Sequence, residues 1–319
     1  MPGFEVFCYT RVMLQTRPMR ESDFDEVAEL IFLSTNSWYE RNLGHSAFGG
    51  KPEGCRVFCE VYEDLDPGCA IVVENADSGR IVGSCFYHPR EMHVSLGILN
   101  VHPSYFGVGV AGRLLGAIVD FAAERELPLR LVSSALNLDS YSLYNKWGLT
   151  PFAIYQDMII DVPTVGLSKA ENDLPQVRPA DPSDLVAMGQ VEFEVAGISR
   201  ESDYCYFVEN SSGLWDCSVS LNETGEVDGF LVSIDHPTVR MIGPGVARTE
   251  AAAEALLRAQ LDRFRGKTVI FLVPATAKEL TAAAYQLGAR NCELHFAQVL
   301  GDAQPIAGVV MPTFLPESG

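Results

Sequence analysis

Long apolar runs are missing from this chain of 319 residues. None reaches the roughly 18 residues that a membrane-crossing helix requires, so no such span is expected. Basic residues are scarce as well: 23 Lys and Arg stand against 42 Asp and Glu, giving a net charge of −19 and a pI near 4.6. The deficit is shared, with 12 basic and 20 acidic residues in 1–160 and 11 and 22 in 161–319. Such a field repels phosphate backbones and anionic lipid, so neither nucleic acid nor a membrane surface is an expected partner. It favours a cationic or amino-bearing small molecule, although solubility alone also explains it. The cysteines, at 8, 55, 59, 69, 85, 205, 217 and 292, form no C-x-x-C pair, and the six histidines form no H-E-x-x-H. Buried thiols are therefore expected, without disulfides and without a metal site. The opening MPGFEVFCYTRVMLQ lacks the basic start, apolar middle and cleavage site of an export signal, which points to a cytoplasmic address. Oligomeric state leaves no trace.

What is present is a repeat. TRPMRESD (16–23) and VRPADPSD (177–184) share Arg, Pro, Ser and Asp at a constant offset, each ahead of an amphipathic stretch. Ser22 or Asp23 is a candidate N-cap for the helix carrying Phe24, Val27, Leu30 and Ile31. A second pair of anchors, KWGLTPF (146–152) and QLGARNC (286–292), suggests two diverged copies of one module. The expected division is 1–162, a linker over 163–176 containing two prolines, and 177–319. In the first copy the periodicities predict a strand near 12–18 and helices over 22–38 and 52–65. A hairpin follows through CAIVVEN and IVGSCFY, then a strand at 93–101, a helix from Val110, a strand at 129–135, a helix through SYSLYNKWG and a closing strand. Antiparallel strands followed by a β-α-β-α-β passage define an α+β, mixed-sheet domain. The second copy repeats the order through SVSLN, VDGFLVSI, TVRMI, a helix at 249–264, TVIFLV, a helix at 277–287 and a strand at 293–300.

The sharpest segment is NVHPSYFGVGVAGRLLGAI (100–118). Gly107, Gly109 and Gly112 spell G-x-G-x-x-G, yet His102 to Phe106 separate them from the strand, and Ser133, Ser134 and Ala135 stand where a dinucleotide fold needs an acidic residue. An NAD-linked oxidoreductase is set aside on both counts. What remains is either a plain tight turn or a glycine-rich helix start whose amides suit a pyrophosphate. In NLDSYSLYNKWGLTPF (137–152), Ser140, Tyr144 and Trp147 share a broad helical face. Tyr144 reads either as a core aromatic or as a proton donor at a cleft.

Together the two segments resemble the GNAT superfamily of acetyl-CoA-dependent N-acetyltransferases, over the element order of about 1–160 and mainly over 98–152. The family's Gln/Arg-x-x-Gly-x-Gly/Ala motif falls on Phe106-Gly107-Val108-Gly109-Val110-Ala111, and its Asn…Leu-Tyr-x-Lys-x-Gly pattern on Asn137, Leu143, Tyr144, Lys146 and Gly148. The resemblance implies two GNAT-like domains, each a mostly antiparallel central sheet with a β-α-β-α-β coenzyme A-binding half. It implies that the amides from Gly107 to Gly112 hold the coenzyme A pyrophosphate, that Leu99, Asn100 and Val101 pair with pantetheine, and that Asn137, with Ser140 beside it, touches the same arm. Tyr144 would protonate the departing thiolate while a primary amine attacks acetyl-CoA directly in a ternary complex. Phe106 and Val108 depart from the pattern by removing basic side chains from the cradle. In the second copy Pro244 removes an amide, and Ala277 and Ala284 occupy the Asn and Tyr positions. That copy is expected to be a degenerate GNAT-like scaffold.

For a base, His93 is the first candidate by its ordinary pKa near 6.5, with Glu91 and Ser95 as neighbours. His102 is a turn element. Glu40, Glu60 and Glu63 come from regions that often form the acceptor pocket in relatives, and Trp38 and Tyr39 read either as pocket lining or as core aromatics at a helix end. The alternative function is a non-catalytic acyl-CoA-binding or sensor protein, against which the retained Tyr144 argues.

Overall fold

The computed structural model describes residues 13–168, 170 and 173–316. Cys8 and the start of the strand expected near 12 lie outside the described residues. The first copy runs β1 (Leu14–Pro18), α1 (Phe24–Leu43), α2 (Arg56–Leu65), β2 (Ala70–Asn75), β3 (Arg80–Pro89), β4 (Val94–Val101), α3 (Val110–Ala123), β5 (Leu129–Ser134), α4 (Leu138–Lys146) and β6 (Thr150–Asp161). The second runs β7 (Gln176–Pro179), α5 (Leu185–Ala196), α6 (Glu201–Glu209), β8 (Trp215–Leu221), β9 (Val227–Asp235), β10 (Arg240–Ala247), α7 (Glu250–Leu261), β11 (Thr268–Pro274), α8 (Lys278–Gln286), β12 (Arg290–Leu300) and β13 (Val309–Met311). The expected mixed, mostly antiparallel architecture is present in both copies. α6 and β13 were not expected.

The recurrent Arg-Pro…Asp has a local cause. Arg17 Nη1 donates to Asp23 Oδ2 at 2.6 Å, while the same carboxylate accepts the Arg20 amide at 2.8 Å. Arg178 does the same to Asp184 at 2.6 Å, with the Asp181 amide at 2.9 Å. Each arginine thus ties the end of its first strand to the short 3₁₀ turn that launches the first helix. Neither Ser22 nor Asp23 makes a side-chain cap bond to α1, because the carboxylate is already engaged in that turn. At the other anchor Gly148 and Gly288, with φ of 91° and 94°, stop α4 and α8 in the left-handed conformation that glycine adopts without strain.

All strands join one sheet in the order β1-β2-β3-β4-β5-β12-β6-β11-β10-β9-β8-β7, with β13 added on β10. The final strands are exchanged. β12, from the second copy, pairs antiparallel with β5 and β6, while β6, from the first, pairs antiparallel with β11. Neither copy therefore completes its sheet alone. One core, shared by α1, α2, α5 and α6, covers one face with Val27, Ile31, Phe58, Val191, Tyr204 and Phe207 among its members. On the other face the first copy buries Leu114, Leu115 and Ile118 of α3, and the second buries Leu256, Leu257 and Leu261 of α7. Each such side chain contributes about 1.5–3 kcal/mol on burial, so the helices are fixed firmly enough to hold their N-termini in register with the strand ends. Cys55, Cys59, Cys85 and Cys217 are buried as expected, but Cys292 is exposed.

Candidate active site

The site grows from the pair β4 and β5. They are parallel neighbours, yet they pair only at Val94–Leu129 and Ser95–Arg130. Beyond Ser95 the strands part, because a bulge bends β4: Cys85 faces Leu99 and Tyr87 faces Leu96, so β4 has one residue more than β3 across this step. The extra residue falls at Gly97–Ile98, and the Ile98 amide leaves the ladder to donate to the Tyr62 hydroxyl at 3.3 Å. The result is a V that opens toward Leu99, Asn100 and Val101.

α3 begins beyond the wide end. Gly107 and Gly109 have φ of 76° and 92°, a left-handed path, and nothing lies within 4 Å of where a Cβ would stand on Gly107, Gly109 or Gly112. The Arg113 amide bonds to the Gly109 carbonyl at 3.1 Å, and the amides before it are the donors that a helix start leaves unused. Phe106 and Val108 are exposed around this opening. Val110 and Ala111 begin the helix, Val110 facing the core.

On the other arm of the V, Asn137 caps α4 by accepting the Ser140 amide at 3.1 Å. Tyr144 is the buried residue of α4 and lies in the cluster with Leu114, Leu115, Ile118 and Leu131, between α3 and β5. Asn100 Oδ1 accepts from the Ser34 hydroxyl and from Thr35 Oγ1 at 3.3 Å, whereas its Nδ2 is buried without a partner. An orphaned donor at the end of a parted strand, together with left-handed glycines that open onto empty space at the start of α3, fits a long ligand with carbonyls at one end and an anion at the other. These are the features of an acyl-coenzyme A, so the residues present fit that group.

His93 does not belong to this arrangement. It precedes β4 at the closed end of the V, fully buried, with both ring nitrogens lacking a partner. Burial, and then Arg130, Arg200 and Arg90, push its pKa well below 6.5. An imidazole so placed neither reaches an amine at the mouth nor accepts a proton readily, which corrects the expectation of a base. The carboxylates considered as pocket residues are occupied elsewhere: Glu40 accepts from Ser46, Glu60 pairs with Arg56 and Glu63 accepts the Gly68 amide. Tyr39 instead reaches across to Glu293 at 2.9 Å, a contact that only the exchanged β12 makes possible. Burial, reinforced by Glu293, raises the Tyr39 pKa far above its usual value and keeps the hydroxyl a donor.

The second copy has the same frame with each feature cancelled. β10 also pairs with its parallel neighbour β11 only at Met241–Ile270 and Ile242–Phe271, and its bulge falls at Gly243–Pro244. Pro244 thus occupies the place of Ile98 and lacks the amide. β13 then pairs with β10 from Gly245 to Ala247 and packs against β11, filling the opening with the chain's own backbone. A Cβ on Gly243 would stand 2.5 Å from the Pro312 carbonyl oxygen, so the fit is tight. In place of a glycine loop, Thr249 caps α7 by accepting the Ala252 amide, and the Glu250 carboxylate accepts the Leu280 amide. That helix start has one amide taken by its own cap and an acidic side chain in its first turn, both of which disfavour a phosphate. Ala277 and Ala284 sit where Asn137 and Tyr144 do, and Tyr285 points outward to Gln156.

Comparisons with known proteins agree with this description. A profile of the acetyltransferase (GNAT) family matches residues 32–149, and one of the acetyltransferase (GNAT) domain matches 207–301. The chain belongs to the GNAT superfamily of acyltransferases, as a tandem-domain member. Among solved structures it is similar to a putative acetyltransferase from Pyrococcus horikoshii, at 15% identity and TM-score 0.70 over 97% of this chain and 95% of that one. It is also similar to a GCN5-related N-acetyltransferase from Sphaerobacter thermophilus, at 18% identity and 0.63 over 93% and 98%. A tandem GNAT protein from the clavulanic acid biosynthesis pathway matches at 14% and 0.61 over 92% and 100%. At these identities the likeness is one of fold. No curated protein sequence is significantly similar to the chain.

Proposed function

We propose that the first domain transfers an acetyl group from acetyl-CoA to a primary amine of a small, cationic acceptor, and that the second domain binds no coenzyme. The observation that carries this reading is the contrast between two equivalent openings: among the described residues no strand pairs into the β4–β5 V, while β13 fills its counterpart. The amides from Gly107 to Gly112 would cradle the pyrophosphate through the helix dipole and unused donors. Asn137, Ser140 and the edge at Leu99, Asn100 and Val101 would hold the pantetheine arm.

The Ile98 amide, turned out of the ladder by the bulge and resting on the Tyr62 hydroxyl, would exchange that partner for a thioester oxygen as negative charge develops there. The amine attacks the carbonyl carbon, its proton leaves through water along the Ser34, Thr35 and Asn100 lining, and Tyr144 protonates the sulfur as the carbon–sulfur bond breaks. Oriented binding of both reactants supplies much of the rate by making the step unimolecular. A net charge of −19 supports a positively charged acceptor over an anionic one.

The test is release of free thiol from acetyl-CoA by the full chain across a panel of polyamines, aminosugars and amino acids. Thiol release that requires an amine supports the reading. Tight acetyl-CoA binding without turnover on any amine would favour the sensor alternative. Loss of binding with the cleft intact would remove both.

A further inference from the structure

Where the exchanged strands meet, three ligating side chains converge on the face that carries α1. Asp157 comes from β6 of the first copy, and Glu293 and His295 come from β12 of the second. One ligand atom from each lies within 4.8 Å of the others. The residues are 4%, 7% and 5% exposed. Among the described residues no lysine or arginine pairs with either carboxylate, and the one ionic neighbour is His295, whose Nδ1 lies 2.8 Å from Asp157 Oδ1. That approach is not a hydrogen bond, because both atoms are buried without a hydrogen-bond partner. Glu293 is held in place from outside the cluster, accepting from the Tyr39 hydroxyl and from Ser134.

Two buried carboxylates without a cationic partner are costly unless something positive lies between them. The unsatisfied Asp157 and His295 atoms point to where it would lie. We propose that Asp157, Glu293 and His295 form a binding site for one divalent transition-metal ion of the zinc class. One imidazole nitrogen with two carboxylate oxygens suits zinc, whereas magnesium and calcium favour all-oxygen sets. Bonds of about 2.0–2.2 Å in tetrahedral geometry separate ligand atoms by roughly 3.3–3.6 Å, so Nδ1 and Oδ1 need to part by less than about 1 Å. Tyr39 and Ser134 would then orient Glu293, the role outer partners play at metal sites. Phe314 closes one side against the imidazole ring at 4.7 Å. Three protein ligands leave the fourth position to water. The ion would join β6 to β12 and so tie one copy to the other. Nothing in this proposal depends on the acyl-transfer reading.

The experiment uses the full chain, stripped with a chelator, dialysed against zinc chloride and analysed for metal content, with melting temperatures in zinc and in magnesium. One zinc per chain and a rise in melting temperature with zinc alone are expected. Asp157→Asn and His295→Gln should each weaken retention at least tenfold, and Cys292→Ser, beside Glu293, should leave it unchanged. A wild-type chain that retains no zinc overturns the proposal. So does retention that survives both Asp157→Asn and His295→Gln or disappears in Cys292→Ser. Should the two variants fail to fold, cobalt in the wild-type chain decides: d–d absorption without a thiolate-to-metal charge-transfer band supports nitrogen and oxygen ligation, and a thiolate band overturns it.

Discussion

Tyr144 and His93 show how differently a candidate proton carrier reads in sequence and in space. Tyr144 is buried between α3 and β5 on the arm of the V opposite Asn100, so its hydroxyl is the group to remove without disturbing the pocket's shape. Tyr144→Phe should lower turnover by roughly 10²–10⁴-fold while the shift in melting temperature with coenzyme A is preserved. Equal losses in both would make it a packing residue. His93 acts through stability. Its pKa is depressed in the folded state by burial and then by Arg130, Arg200 and Arg90, so the folded chain binds fewer protons there than the unfolded chain, whose histidine titrates near 6.5. This contribution is present above about pH 6.5 and is lost as pH falls toward the depressed value, by up to about 1.4 kcal/mol per pH unit. Denaturant titrations at pH 7.5 and 5.5 should show a smaller stability loss for His93→Met than for wild type. Identical losses would mean that His93 takes up protons in the folded chain as it does in the unfolded one.

At the level of elements, the glycine turn and the helix it opens were legible because they are local. Gly107 and Gly109 mark the positive φ that they adopt, Gly112 leaves open space on the first turn of α3, and the spacing from Asn137 to Tyr144 needs only helical geometry. The edge of that legibility falls at pairing. Periodicity marks Arg290–Leu300 as a strand, but it carries no information about which strand will be its neighbour. β13 is three residues long and has no pattern of its own, and α6 lacked a clear apolar stripe. The cluster of Asp157, Glu293 and His295 has no motif spacing for the same reason, since 136 positions separate Asp157 from Glu293. Two helix starts give a paired prediction. Gly109→Val, which sets a branched side chain at φ 92° over the cradle, should abolish the coenzyme A melting shift. Glu250→Gln at the start of α7 should leave that shift unchanged, and an effect of Glu250→Gln alone would move the coenzyme to the second copy.

Across the whole molecule, the exchange of β6 and β12 makes each half depend on the other. Residues 1–162 expressed alone would present β5 and β6 as bare edges with β12 missing between them, an arrangement prone to aggregation. That fragment is expected to be insoluble or unfolded by itself, and co-expression with residues 163–319 is expected to restore a soluble complex that melts higher with coenzyme A. A well-folded, coenzyme-binding fragment 1–162 would show that the exchanged strand is dispensable.

The same exchange reaches back to the ribosome. A domain at the start of a chain ordinarily folds as soon as it has emerged. Here the strand that must lie between β5 and β6 ends at Leu300, roughly 140 residues after β6. At roughly 5–20 residues per second, the first half therefore waits roughly 7–28 s for its missing neighbour. For that interval the nascent chain holds two unpaired strands and an unfinished cleft, a natural client for chaperones that shield exposed edges during translation.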